Sequence, residues 1–135
     1  DEKDNIVGLF NYNGSEHELT FYDSKGKETF WKYKYDKGVA YPTNVSVLLT
    51  GNTLVTAFYH SIATGSDLAA LDYKTGRLIW RADVDQVNAS HSEYYNRVFL
   101  YSYKDKILME GIEAYGNYLQ VFDIKTGTKY YSSLK

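Results

Sequence analysis

Short alternations of apolar and polar residues run the length of this chain, and each stops at a polar or glycine-containing break. NIVGLFNY at 5–12 alternates as a strand and ends at Asn13, Gly14 and Ser15. Runs 18–23 and 28–35 read as a hairpin, and the connection DKGVAYPTN follows at 36–44. Runs 45–50 and 53–60 flank a Gly51-Asn52 turn, and 67–73 pairs with 77–84. A polar connection, DQVNASHSEYYN, occupies 85–96. Runs 97–103 and 107–113, then 118–123 and 128–134, close the pattern. The reading is eleven strands and no amphipathic helix, in units 5–35, 45–84 and 97–134. The last two units have four strands; the first has three, lacking an opening strand. The expectation is one all-β domain over 1–135, made of antiparallel four-stranded meanders.

One phrase recurs in all three units. It reads LTFYDSKGKETFW at 19–31, LAALDYKTGRLIW at 68–80 and LQVFDIKTGTKYY at 119–131. Its aspartates, Asp23, Asp72 and Asp123, lie 49 and 51 residues apart, and an aromatic follows eight positions after each: Trp31, Trp80 and Tyr131. A period near fifty with strand content marks an array of small sheets. The aspartate can accept hydrogen bonds from turn amides, and a glycine can take positive φ without a Cβ clash. Gly76 and Gly127 stand four residues after their aspartates and Gly26 three, which predicts a different geometry for the first turn. The aromatic is expected between neighbouring sheets.

LAALDYKTGRLIW resembles the repeat of PQQ-like β-propellers, whose blades carry a D-x-x-T-G turn before a strand with Trp. That family includes quinoprotein dehydrogenases and outer-membrane assembly scaffold lipoproteins. Asp72, Thr75, Gly76 and Trp80 match the repeat; Asp123, Thr126 and Gly127 match with Tyr131 in place of Trp; Asp23, Gly26 and Trp31 match loosely. The resemblance implies an incomplete, roughly three-bladed propeller-like array. The chain departs from the quinone enzymes in having no adjacent cysteine pair and no calcium constellation, so no cofactor is expected.

Composition changes this picture little. Net charge is −2, with no basic patch to support nucleic-acid binding. No apolar run approaches the length of a membrane span. Cysteine is absent, which removes disulfides and thiolate metal sites from consideration. The polar lead DEKDN is what remains when a secretion or lipoprotein signal is removed, or when a boundary is chosen inside a longer chain; of the two the reading favours export, to a periplasmic or extracellular place, with a lipid anchor allowed on a precursor. Tyr supplies 15 of the 23 aromatics, a composition suited to a binding surface.

The blade pattern sorts the loops onto two edges. The edge carrying the Asp turns gathers Lys25, Lys27, Lys74, Arg77, Lys104, Lys106, Lys125 and Lys129, about half offset by Asp23, Asp72, Asp105 and Asp123, in short, repetitive turns read as structural. The other gathers the irregular loops and, with them, His17, Tyr41, His60, Asp67, His91, Glu93, Tyr94, Tyr95 and Tyr115. Binding residues concentrate on variable loops held by a rigid frame, so this edge is the candidate binding surface. Loop polarity through solvation alone is the plainer reading. A metal site from His17, His60 and His91 would need three loops to converge with no spacing motif, and stretch 83–93 lacks the glycine and closing glutamate of a calcium loop. No serine lies in a nucleophile elbow and no phosphate-binding glycine loop exists. The expected function is a non-enzymatic exported bacterial module holding a protein partner. A homodimer completing a ring is a second expected association. The alternatives are an inhibitor or immunity protein that plugs an enzyme cleft with loop 85–96, and a truncated-propeller enzyme.

Overall fold

A computed structural model describes residues 6–13, 16–23, 29–34, 45–58, 67–85, 97–113 and 116–134. Within them lie eleven strands: β1 (Ile6–Asn13), β2 (Glu16–Asp23), β3 (Thr29–Lys34), β4 (Val45–Thr50), β5 (Thr53–Phe58), β6 (Asp67–Asp72), β7 (Leu78–Arg81), β8 (Arg97–Tyr103), β9 (Lys106–Glu113), β10 (Gly116–Asp123) and β11 (Lys129–Ser132). Every pairing is antiparallel between strands adjacent in sequence. β1–β3 form the first sheet, β4–β7 the second and β8–β11 the third. The all-β antiparallel meander fold read from the sequence is what the structure contains, and among the described residues the first sheet has three strands.

The sheets stack face to face. Leu19, Trp31 and Tyr33 of the first sheet pack with Leu54, Ala69, Leu71 and Tyr73 of the second. On its other face the second sheet contributes Val55, Ala57, Leu68, Ala70 and Trp80 to a larger cluster with Val98, Leu100, Ile107, Met109 and Phe122 of the third. β6 therefore buries both faces, and its run LAAL is apolar at every position, the pattern of a strand covered on two sides.

The final hairpin slips register at the same point in each unit. The shift falls between Phe21 and Tyr22, between Ala70 and Leu71, and between Val121 and Phe122. Two residues before each aspartate, the sheet thus gains one extra residue on the strand that carries the aromatic, which twists that strand and re-aims it. The last strands are shorter than the sequence pattern predicts. β7 ends at Arg81, while Val84 and Asp85 leave the second sheet to pack against the third.

Candidate functional site

The repeated phrase forms a clamp between sheets. Trp31 of the first sheet donates its indole N–H to the Tyr73 carbonyl of the second at 2.7 Å. Trp80 of the second does the same to the Ile124 carbonyl of the third at 2.9 Å. Each acceptor is the residue after the repeat aspartate. The ring lies flat over the turn glycine: a Cβ on Gly76 would stand 2.6 Å from Trp31, and one on Gly127 would stand 2.5 Å from Trp80. Both glycines have φ +73°, a region closed to most side chains. One glycine thus meets two demands, a left-handed turn and room for an aromatic ring.

The turns beneath the rings are near copies. Asp72 Oδ1 accepts from the Lys74 and Thr75 amides, both at 3.0 Å, and from the Thr75 hydroxyl at 3.1 Å. Asp123 Oδ1 accepts from Lys125 N at 2.8 Å, Thr126 N at 2.9 Å and the Thr126 hydroxyl at 3.1 Å. These donors hold both carboxyls below the usual carboxylate range, led by the Thr75 amide for Asp72 and the Lys125 amide for Asp123. The β4–β5 and β8–β9 turns sit beside them: Tyr73 N donates to Asn52 O and Ile124 N to Asp105 O. Among the described residues, these turns use their polar groups in their own hydrogen bonding.

Of the residues expected on the opposite edge, Tyr41, His60, His91, Glu93, Tyr94, Tyr95 and Tyr115 lie outside the described residues, as does the turn with Gly26. His17 stands in β2 opposite Tyr12. Asp67 opens β6 at 4% exposure, with Arg81 Nε 3.7 Å from its carboxylate, so it serves the junction between the first two sheets. Arg81 also donates to the Tyr33 hydroxyl at 3.1 Å and lies 5.5 Å over that ring.

Two ties between the second and third sheets are absent from the sequence reading. Gln120, buried in β10, accepts from Asp85 N at 2.8 Å and donates to Asp85 O at 3.0 Å. Lys129 reaches the Asp83 carbonyl at 2.9 Å and the Asp85 carboxylate at 2.8 Å. The sequence signal for the first is an amide at an inward position of the run LQVF.

The surface that stands out is the outer face of the third sheet. β8 reads VFLY from 98 to 101; Val98 and Leu100 point into the core, while Phe99 and Tyr101 point away. Cross-strand register sets Tyr101 beside Leu108 and Leu108 beside Val121, which pairs with Tyr131. Tyr131 holds the place that Trp31 and Trp80 hold in their sheets, yet it is 53% exposed where Trp80 is 7% exposed. On this face a cavity of about 380 Å³ is lined by Tyr101, Leu108, Glu110, Asn117, Tyr118, Leu119 and Ser133. Tyr101 donates its hydroxyl to Glu110 Oε2 at 3.2 Å; desolvation first, and this carboxylate second, push the Tyr101 phenol up. The arrangement can grip an apolar surface that brings a cation. The chain has no cysteine, and among the described residues no three metal-ligating side chains converge.

Solved structures share this fold. BamB from Moraxella catarrhalis superposes with a TM-score of 0.65 at 14% identity, over 98% of this chain and 35% of that one. A europium-containing methanol dehydrogenase gives 0.64 at 12% identity, over 95% and 23%. The quinohemoprotein alcohol dehydrogenase from Comamonas testosteroni gives 0.59 at 20% identity, over 96% and 19%. These neighbours are PQQ-like β-propellers, and the three sheets have the architecture of a partial propeller. The chain spans about a third of the BamB chain and less of the two enzymes. No family model matches the sequence, and no curated protein matches it. Among the described residues no helix is long and apolar enough to cross a membrane.

Proposed function

We propose that this chain is a non-enzymatic protein-binding module of an exported bacterial protein, with the outer face of its third sheet as a docking surface. The observation that carries the reading is the pair Tyr101 and Tyr131. Both are about half exposed on a face whose counterpart in the second sheet is covered, with Trp80 sealed beneath the next turn. Exposed aromatics beside an apolar floor are the composition of interaction hot spots. The resemblance of the repeats to those of assembly scaffold lipoproteins supports both the scaffold role and export. The irregular edge bearing Tyr94 and Tyr95 is the second recognition surface of this reading, and 1–135 acts as one unit in it.

Site-specific photocrosslinking tests it. A photoreactive residue at Tyr101, and separately at Tyr94, is expected to yield discrete protein adducts in bacterial cells. The same probe at Lys74, on the hydrogen-bonded edge, is expected to yield none. No adduct from either test position, or an equal pattern from all three, would end the proposal.

A further inference from the structure

The second and third sheets share one register, so their positions match one to one. Thr50 faces Thr53 across the β4–β5 turn as Tyr103 faces Lys106 across the β8–β9 turn. Asp72 and Asp123 end the strands that follow. The second sheet turns one face to the third, and the residues it places in that junction are apolar. The equivalent face of the third sheet is its outer one. It stays apolar at three places, with Leu108 for Val55, Leu119 for Leu68 and Val121 for Ala70. At four others it gains an oxygen. Tyr101 stands for Leu48 and Glu110 for Ala57. Tyr131 stands for Trp80 and Ser133 for Ala82, as Ser133 N bonds Leu119 O where Ala82 N bonds Leu68 O. Another sheet like the third does not fit such a face. Ala57 is fully buried at its junction, and a carboxylate in that place would be shut from water without a counter-charge.

Glu110 has no cation of its own among the described residues. The Tyr101 hydroxyl, a neutral donor, is its partner at 3.2 Å. Arg97 is diagonal to it across β8 and β9, yet no ion pair joins them. Lys106, further along β9, is taken by Asp105 at 2.9 Å and lies 4.4 Å over the Tyr130 ring. Around Glu110 the cavity is walled by the Tyr101 and Tyr118 side chains and floored by Leu108 and Leu119. Its volume of about 380 Å³ is near the small end of ligand sites, enough for one long side chain. A carboxylate between aromatic rings above an apolar floor suits arginine best. The guanidinium is planar and weakly hydrated, forks onto a carboxylate and stacks on rings, while its stem packs on apolar surface.

We infer that this cavity receives an arginine of a partner protein, the guanidinium on Glu110 and against the Tyr101 ring, with apolar residues of the partner on Leu108, Leu119 and Val121. The inference rests on the reading of this face as a protein-docking surface and names what the partner brings.

The test is an NMR titration of the isotope-labelled chain with three blocked five-residue peptides, each with two leucines flanking a central arginine, lysine or glutamine. The arginine peptide is expected to move the amide signals of Tyr101, Glu110 and Leu119. The glutamine peptide is expected to bind about tenfold more weakly, and the lysine peptide between the two. Glu110→Gln is expected to bring the arginine peptide down to the glutamine level, the spectrum itself showing that the variant is folded. Should that variant not fold, salt takes its place: about 0.5 M is expected to weaken the arginine peptide and leave the glutamine peptide unchanged. Equal binding of the arginine and glutamine peptides overturns the inference, as do shifts confined to other faces. Equal binding of arginine and lysine overturns the choice of arginine. Shifts on this face that follow protein concentration without peptide show a second copy there, and overturn it too. A Tyr101 probe whose protein adducts persist undiminished with Glu110→Gln overturns the arginine while leaving the docking surface intact; absence of adducts from the unaltered chain removes the docking surface itself.

Discussion

At the scale of the residue, this protein is organised by glycines that cannot be anything else. Gly76 and Gly127 sit at φ +73° with an indole against the α-carbon. An alanine at either position must both strain the turn and displace a tryptophan held by a hydrogen bond. Gly76→Ala and Gly127→Ala are each expected to lower stability by about 2–4 kcal/mol, measured by urea melts. Gly51→Ala meets nothing within 4 Å and keeps only the backbone strain, so its loss is expected to be smaller. The aspartates make a pH prediction. Both are held below the ordinary value of 3.8, so their folded pKa lies under their unfolded one. Their contribution is complete above about pH 5 and fades as pH falls through the lowered values. Stability measured against pH is expected to fall on the acid side, and Asp72→Asn with Asp123→Asn to flatten that fall. The aspartate and aromatic were legible in the sequence because they recur eight residues apart, and the glycine because it stands four after the aspartate in the second and third phrases. Their division of labour was not: the glycine of one repeat serves the tryptophan of the repeat before it, and no spacing within one phrase shows that.

Among the elements, the most regular feature is one that alternation does not reveal. The register shift before each aspartate inserts Phe30, Ile79 and Tyr130 into their strands, one residue ahead of each clamp aromatic. In the sequence these positions read as ordinary apolar strand residues. The shift explains how TFW and LIW place neighbouring aromatic and apolar residues in one strand while the clamp ring still faces the next sheet. The chain after β7 is the second case. Its apolar run implies a strand to residue 84, but Gln120 and Lys129 draw Asp83 and Asp85 to the third sheet. Removing the Gln120 amide leaves the Asp85 backbone groups without these bonds. Gln120→Leu is expected to cost about 1–3 kcal/mol. Hydrogen exchange is the check: the Asp85 amide is expected to exchange faster in the variant, and an unchanged rate there would show that the amide does not hold this connection.

For the whole molecule, protection should follow the order of the stack. β5 and β6 lie in the interior of the second sheet, with a sheet on either side. Their amides are expected to exchange most slowly in native-state measurements, and those of β11, at the edge of the third sheet, among the first. Equal protection across β6 and β11 would contradict a stack centred on the second sheet. A stack of this kind also explains which parts of the reading came from sequence alone. Strand positions, hairpin turns and the repeat follow from local alternation and period, because each is set by neighbours within one unit. Which faces meet, and which aromatic is left over, depends on contacts more than forty residues apart: Trp31 to Tyr73 and Trp80 to Ile124. VFLY in β8 and LAAL in β6 look alike as sequences, apolar on both parities. Only the tertiary structure decides that one is covered twice and the other once, because burial belongs to the sheet on the far side and not to the strand itself.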